Sequence, residues 1–237
     1  MAVTVAGKRR AAGPFAGMKP PEECSVFAAQ SDFAARMAER PAYAMKEPKP
    51  ALIGEYMRGN DWGSVKGALM RAAEGKEGYA LARKTVQEIF ARGRLDILGE
   101  LVRGGETHAA NFAKDKLQYI GPEALEEAAS VAAKDGKASP LDVAKGFEEA
   151  GRYCGPKTAK KAFDTLVEGG FIRNAANIAC YGESAVVQRY GVKKLYESRR
   201  EDALAWVSSN GNDRIKGHAG RMLEQLRHEK ETSLGRS

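Results

Sequence analysis

Ala159-Lys160-Lys161-Ala162-Phe163-Asp164-Thr165-Leu166, closed by Glu168-Gly169-Gly170, is the stretch whose reading decides the fold. A small residue is followed four positions later by an apolar one and seven positions later by another. Those three positions share one face of an α-helix, while the two lysines after Ala159 fall outside it. Glycine just past the last periodic residue marks the stop.

The same formula recurs along the chain. The small residues are Ala82, Ala113, Ala159, Gly191 and Ala219. Four later come Val86, Leu117, Phe163, Leu195 and Leu223, and seven later come Ile89, Ile120, Leu166, Ser198 and Leu226, with Ser198 the polar exception. A second set of apolar-sided helices precedes these, at about Asp61–Ala73, Arg94–Arg103, Pro122–Lys134, Phe171–Cys180 and Arg199–Ser208. Spacing between copies is 31, 46, 32 and 28 residues. The long gap holds two helices, about Pro122–Lys134 and Pro140–Ala150. Val143, Phe147 and Ala150 could be a degraded copy within it, which leaves the phase between residues 122 and 159 open.

Punctuation agrees with helices throughout. Stops fall at Gly93, Gly104-Gly105, Gly121, Gly136, Gly151, Gly169-Gly170, Gly182 and Gly211. Ser139-Pro140, Gly121-Pro122-Glu123 and Gly155-Pro156 place proline in a first turn, where its missing N–H costs nothing. Alternating β-branched runs are missing, so the chain reads as all-α.

Antiparallel helix pairs at this period are the pattern of an α-solenoid, because a lone pair cannot bury its apolar stripe and stacked neighbours can. Residues 61–227 resemble HEAT or armadillo-type repeats rather than tetratricopeptide or ankyrin units, whose marker residues are absent. The resemblance implies a right-handed α–α superhelix of about five short helix pairs, with second helices lining the concave face. An irregular helical bundle is the alternative.

Outside that region, residues 1–50 read as a basic, proline-rich arm with one helix at about Ser25–Glu39, its buried face Phe27, Phe33 and Met37. Residues 51–228 read as the helical-repeat domain and 229–237 as a disordered tail. No apolar run approaches the roughly 18–20 residues of a membrane span. Three cysteines, Cys24, Cys154 and Cys180, form no CxxC and leave an odd thiol, which points to a reduced, cytoplasmic-type compartment.

Motifs for chemistry are lacking. His108, His218 and His228 form no HExxH, no cysteine pair has zinc spacing, and no phosphate-binding loop follows a strand. No metal or cofactor is therefore expected. Gly155-Pro156-Lys157-Thr158 opens a helix and reads as an ordinary cap rather than an anion site. Cys180 reads as a buried thiol at a helix end, and Glu126-Glu127 and Glu148-Glu149 as solvated acids.

The bases are more informative. Arg83, Lys84, Lys114, Lys160, Lys161, Lys193 and Arg221 follow the small residue of each copy. Stacking would align them into a ridge, with Tyr79, Tyr119, Tyr190 and Tyr196 on the same helices. Net charge is +7, with 31 acids among 38 bases, which permits nucleic acid without requiring it.

The function expected is a non-catalytic scaffold holding a protein partner on the concave face. The alternative is a nucleic-acid-binding module using the basic ridge. A third reading rests on the plan's resemblance to HEAT-like DNA glycosylases, which need an acid and aromatic side chains in a basic groove. Asp115 and Asp164 with Trp62 or Trp206 are its candidates by residue type.

Overall fold

The computed structural model describes residues 50–71, 76–134, 136 and 138–234. Among them are twelve helices and no strand. In order they are α1 Pro50–Arg58, α2 Trp62–Arg71, α3 Lys76–Ala91, α4 Leu95–Arg103, α5 His108–Gln118 and α6 Pro122–Lys134. Then come α7 Pro140–Tyr153, α8 Pro156–Glu168, α9 Ile172–Tyr181, α10 Ala185–Glu197, α11 Glu201–Asn210 and α12 Asp213–Leu234. The expected arm, including its helix at 25–39, lies outside the described residues apart from Pro50. At the other end α12 continues to Leu234, into the stretch expected as a tail.

Local chemistry explains the starts. Pro122, Pro140 and Pro156 each occupy the first position of a helix. Ser139 forms a full capping box with Asp142, and the Thr107 side chain accepts from the Ala110 N–H at 3.1 Å. Gly93, between α3 and α4, is needed twice over. Its φ of +70° is left-handed, and a Cβ there would lie 2.0 Å from the Ala128 carbonyl oxygen of α6.

The helices pack in two rows. One row runs α2, α4, α7, α9, α11, each on the next. The other holds α3 on α5, and α8 on α10 on α12. Consecutive pairs α4–α5, α7–α8, α9–α10 and α11–α12 join the rows through short connections, which makes each pair antiparallel. Within a row the helices run parallel. Along α4 and α7, Leu95 meets Gly146, Gly99 meets Glu149, and Arg103 bonds Glu149, so the contacts advance in the same direction on both. Tyr79 against Phe112, then Phe90 beneath Lys116, shows the same for α3 and α5.

The recurring stripe is the core. Ala82, Ala113, Ala159, Gly191 and Ala219 are buried, and so are all the apolar residues four and seven positions after them, while Ser198 is exposed. Gly191 shows why the first position is small: a Cβ on it would come 2.8 Å from Ala179 Cβ and 2.9 Å from Phe163 Cε2. The pairing across 122–159 also resolves. The helix paired with α8 is α7, which packs between α4 and α9, and not Pro122–Lys134. Val143, Phe147 and Ala150 thus belong to a first-row helix and are no degraded second-row copy. The additional element is α6, which packs on α7 and α8 and presses Ala128 and Ala132 against Gly93.

Candidate functional site

The second-row helices carry all seven expected basic residues: Arg83 and Lys84 on α3, Lys114 on α5, Lys160 and Lys161 on α8, Lys193 on α10 and Arg221 on α12. Three of them are spent on acids. Lys114 pairs with Glu183 at 3.0 Å, Lys161 with Glu126 at 2.7 Å, and Lys193 with Glu197 at 3.7 Å. The hydrogen bonds to Glu183 and Glu126 raise the pKa of Lys114 and Lys161 respectively. Lys160 lies over the Tyr190 ring, 5.1 Å from its centroid. Arg83, Lys84 and Arg221 have no acid partner among the described residues.

Where α3 and α5 meet the start of α6, an open groove of about 580 Å³ forms. Tyr79, Phe90, Phe112 and Tyr119 supply its aromatic surface, and Arg83, Lys116 and Asp115 its charge. Tyr79 meets Phe112 edge-on at 4.9 Å and His108 at 5.4 Å, which fixes one wall. Lys116 sits over Phe90 at 5.4 Å. Tyr119 is 81% exposed and Tyr79 46%, so large aromatic surface faces solvent here. Phe90, Phe112 and Lys116 were not among the expected site residues. The signal was nevertheless present as a second stripe beside the core stripe. Tyr79, Arg83 and Phe90 on α3, and Phe112 and Lys116 on α5 with Tyr119 just past its end, recur at helical spacing.

The other expected tyrosines are engaged in packing. Tyr190 is half-buried against Phe163 and donates to both Asp164 oxygens at 2.7 Å, and burial together with that bond raises its pKa. Tyr196 donates to Glu229. Asp164 is thereby occupied, while Asp115 lines the groove.

The tryptophans lie elsewhere. Trp62 packs on Arg94, 5.0 Å from its guanidinium, and the Trp206 N–H donates to Asn177 at 3.2 Å. Both belong to the first row, so the structure does not bring either of them to Asp115 or Asp164.

The first row holds a polar seam that the sequence reading missed. Glu148 and Glu149, expected to be solvated, are 8% and 3% exposed. Adjacent helical residues point about 100° apart, and α7 has neighbours on both sides, so Glu149 faces α4 and Glu148 faces α9. Glu149 accepts from Arg103, with Arg152 at 3.7 Å. Glu148 accepts from the Asn174 amide at 2.7 Å and the Asn177 amide at 3.0 Å. Burial raises the Glu148 carboxyl pKa, against the pull of both amides. Upstream, Arg94 and Asp96 form a buried bidentate pair at 2.9 and 2.7 Å.

The two described cysteines are not exposed. Burial pushes the Cys154 thiol up to about 12 and Cys180 up to about 11, and both are sealed in the core. His108 is on α5 and His218 and His228 are on α12. Among the described residues no group of three or more His, Cys, Asp or Glu could hold a metal ion. No described helix is long and apolar enough to cross a membrane. Gly155 caps α8 without a side-chain bond, and the Thr158 hydroxyl donates to the Ile120 carbonyl at 3.0 Å, which ties α8 to the end of α5.

Comparison with protein-family models, with curated proteins and with solved structures gave no match.

Proposed function

We propose that the chain is a non-catalytic binding protein that holds a protein partner on its second-row face, with the groove between α3 and α5 as the anchor. In this reading the helix pairs form a HEAT-like, right-handed α–α superhelix, and the second row lines its concave side. Parallel packing within each row and the buried stripe of small and apolar residues support that arrangement.

The observation that carries the functional reading is the exposed Tyr79 and Tyr119 in a groove flanked by unpaired cations. Exposed aromatics with arginine are the side chains that anchor protein interfaces. Removing them tests it. Full-length protein and a Tyr79→Ala/Tyr119→Ala variant serve as bait in native lysate, with and without nuclease. Proteins captured by the first, lost with the second and indifferent to nuclease are expected. Capture that vanishes with nuclease would move the assignment to nucleic acid.

That second reading has its own support, since Arg83 lines the same groove as the tyrosines and bases stack on such rings. Salt-sensitive binding of duplex DNA or structured RNA that falls when Lys160, Lys161 and Lys193 are reversed to glutamate would favour it.

A further inference from the structure

We propose that the α3–α5 groove takes an acidic peptide segment carrying large apolar side chains. This deepens the protein-binding reading and rests on it.

Charge in the second row is unevenly spent. Beyond the groove, Lys114, Lys161, Lys193 and Lys194 are matched by Glu183, Glu126 and Glu197. In the groove lining, Arg83 and Lys116 have no acid partner among the described residues, and Asp115 is the one acid there. Arg221 on α12 is also without an acid partner among the described residues, so free positive charge is not confined to this pair of helices. What is particular to the groove is that Arg83 and Lys116 flank exposed aromatic surface, which suits a short segment carrying both carboxylates and apolar side chains.

The floor specifies the rest. Tyr79, Phe90, Phe112 and Tyr119 present ring faces and edges, and Val86 and Ile120 back them. An apolar side chain laid between α3 and α5 would cover this surface, while carboxylates before and after it reach Arg83 on one wall and Lys116 on the other. The groove is open to solvent and not enclosed, which suits a chain segment better than a fully buried small molecule.

The test uses the full chain and labelled peptides with two phenylalanines four residues apart, flanked by glutamates. Matched probes replace the glutamates by glutamine, by lysine, or the phenylalanines by alanine, and oligothymidylate serves as a nucleic-acid probe. Fluorescence anisotropy should show one-to-one binding of the acidic phenylalanine peptide. Glutamine or alanine replacement should weaken it by about tenfold or more. An Arg83→Glu/Lys116→Glu variant should lose the acidic peptide and gain the lysine one, and this exchange of preference separates recognition from misfolding.

Equal binding of the glutamine peptide, still abolished by Tyr119→Ala, would overturn the charge assignment and leave the protein-binding reading standing. Binding of oligothymidylate alone would overturn both. No binding of any peptide, or acidic-peptide binding indifferent to the double reversal, would overturn the proposal.

Discussion

In the first row, each contact from one helix to the next carries a polar or charged group, several of them buried, whereas the second row relies more on rings and small residues. Trp62 on Arg94 links α2 to α4, Arg103 on Glu149 links α4 to α7, Glu148 with Asn174 and Asn177 links α7 to α9, and Trp206 on Asn177 links α9 to α11. In the second row, Tyr79 meets Phe112, Phe163 meets Tyr190 and Gly191 lets α10 close on α8 and α9. The second row has polar bonds too, Tyr190 to Asp164, Thr158 to the Ile120 carbonyl and Asn212 to Gln188, but the buried acids among the described residues, Asp96, Glu148 and Glu149, all lie in the first row. Apolar stripes allow sliding, since any methyl fits another approximately. A buried carboxylate bonded to two amides does not. The first row thereby sets the register between pairs.

The largest expected effect tests the second row. Phe163 is fully buried and belongs to the recurring stripe of small and apolar residues. Phe163→Ala should cost about 4 kcal/mol, lost transfer energy plus the cavity left against Gly191 and Tyr190. Urea denaturation would read it, and a cost under about 1 kcal/mol would mean the helices collapse to fill the space.

Next comes the polar seam. Arg103→Ala leaves the Glu149 carboxylate buried with only Arg152 at 3.7 Å. About 3 kcal/mol is expected, the low end for stranding a buried charge, because Arg103 is itself half-exposed. The double variant Arg103→Ala/Glu149→Ala should cost clearly less than the sum of its singles. Strict additivity would show that the pair does not act as one.

How far the sequence revealed this molecule follows the same division. The second row was legible because its three-position stripe is regular, and burial of Ala159, Phe163 and Leu166 needs no knowledge of what lies on the other side. The first row was half-legible. Leu95, Leu98 and Leu101 announce a helix face, but whether Glu148 and Glu149 are wet depends on α7 being flanked by both α4 and α9. That is a three-dimensional fact with no local trace. The phase across 122–159 failed for a related reason, because α6 and α7 both have an apolar side and only packing decides which belongs to the row. The groove lay between these cases. Tyr79 and Tyr119 were picked out, but Phe90, Phe112 and Lys116 were passed over. The basic ridge was read by sign alone, and partners such as Glu183 are distant in sequence from the lysines they neutralise.

A pH series sharpens the comparison without removing a bond. Burial raises the folded pKa of Glu148 above its ordinary value of 4.5, and burial raises Asp96 likewise. Between the ordinary and the raised value the native state holds more protons than the unfolded one. Stability from these groups is therefore present at low pH and lost as pH rises through the raised pKa. Glu148→Gln keeps a carbonyl that Asn174 can donate to and removes that titration. The urea midpoint of the variant should fall less than that of the original protein between about pH 5 and about pH 8. Identical slopes would mean that burial does not govern this carboxyl.

The smallest effect is expected from Lys161, two residues after Ala159. Lys161 reaches Glu126 of α6 at 2.7 Å, but both side chains are about half exposed, at 47% and 46%. Water screens the pair, and holding two long side chains offsets most of the attraction, so Lys161→Ala should change stability by no more than about 0.5 kcal/mol. Yet the same bond removes a free cation from the second-row face. Glu126→Ala should accordingly leave the urea midpoint almost unmoved and add one free positive charge to the outer surface of α8. If nucleic acid were the partner of this row, that variant would bind it more tightly and with a steeper dependence on salt. A protein anchored at the α3–α5 groove would not register the change.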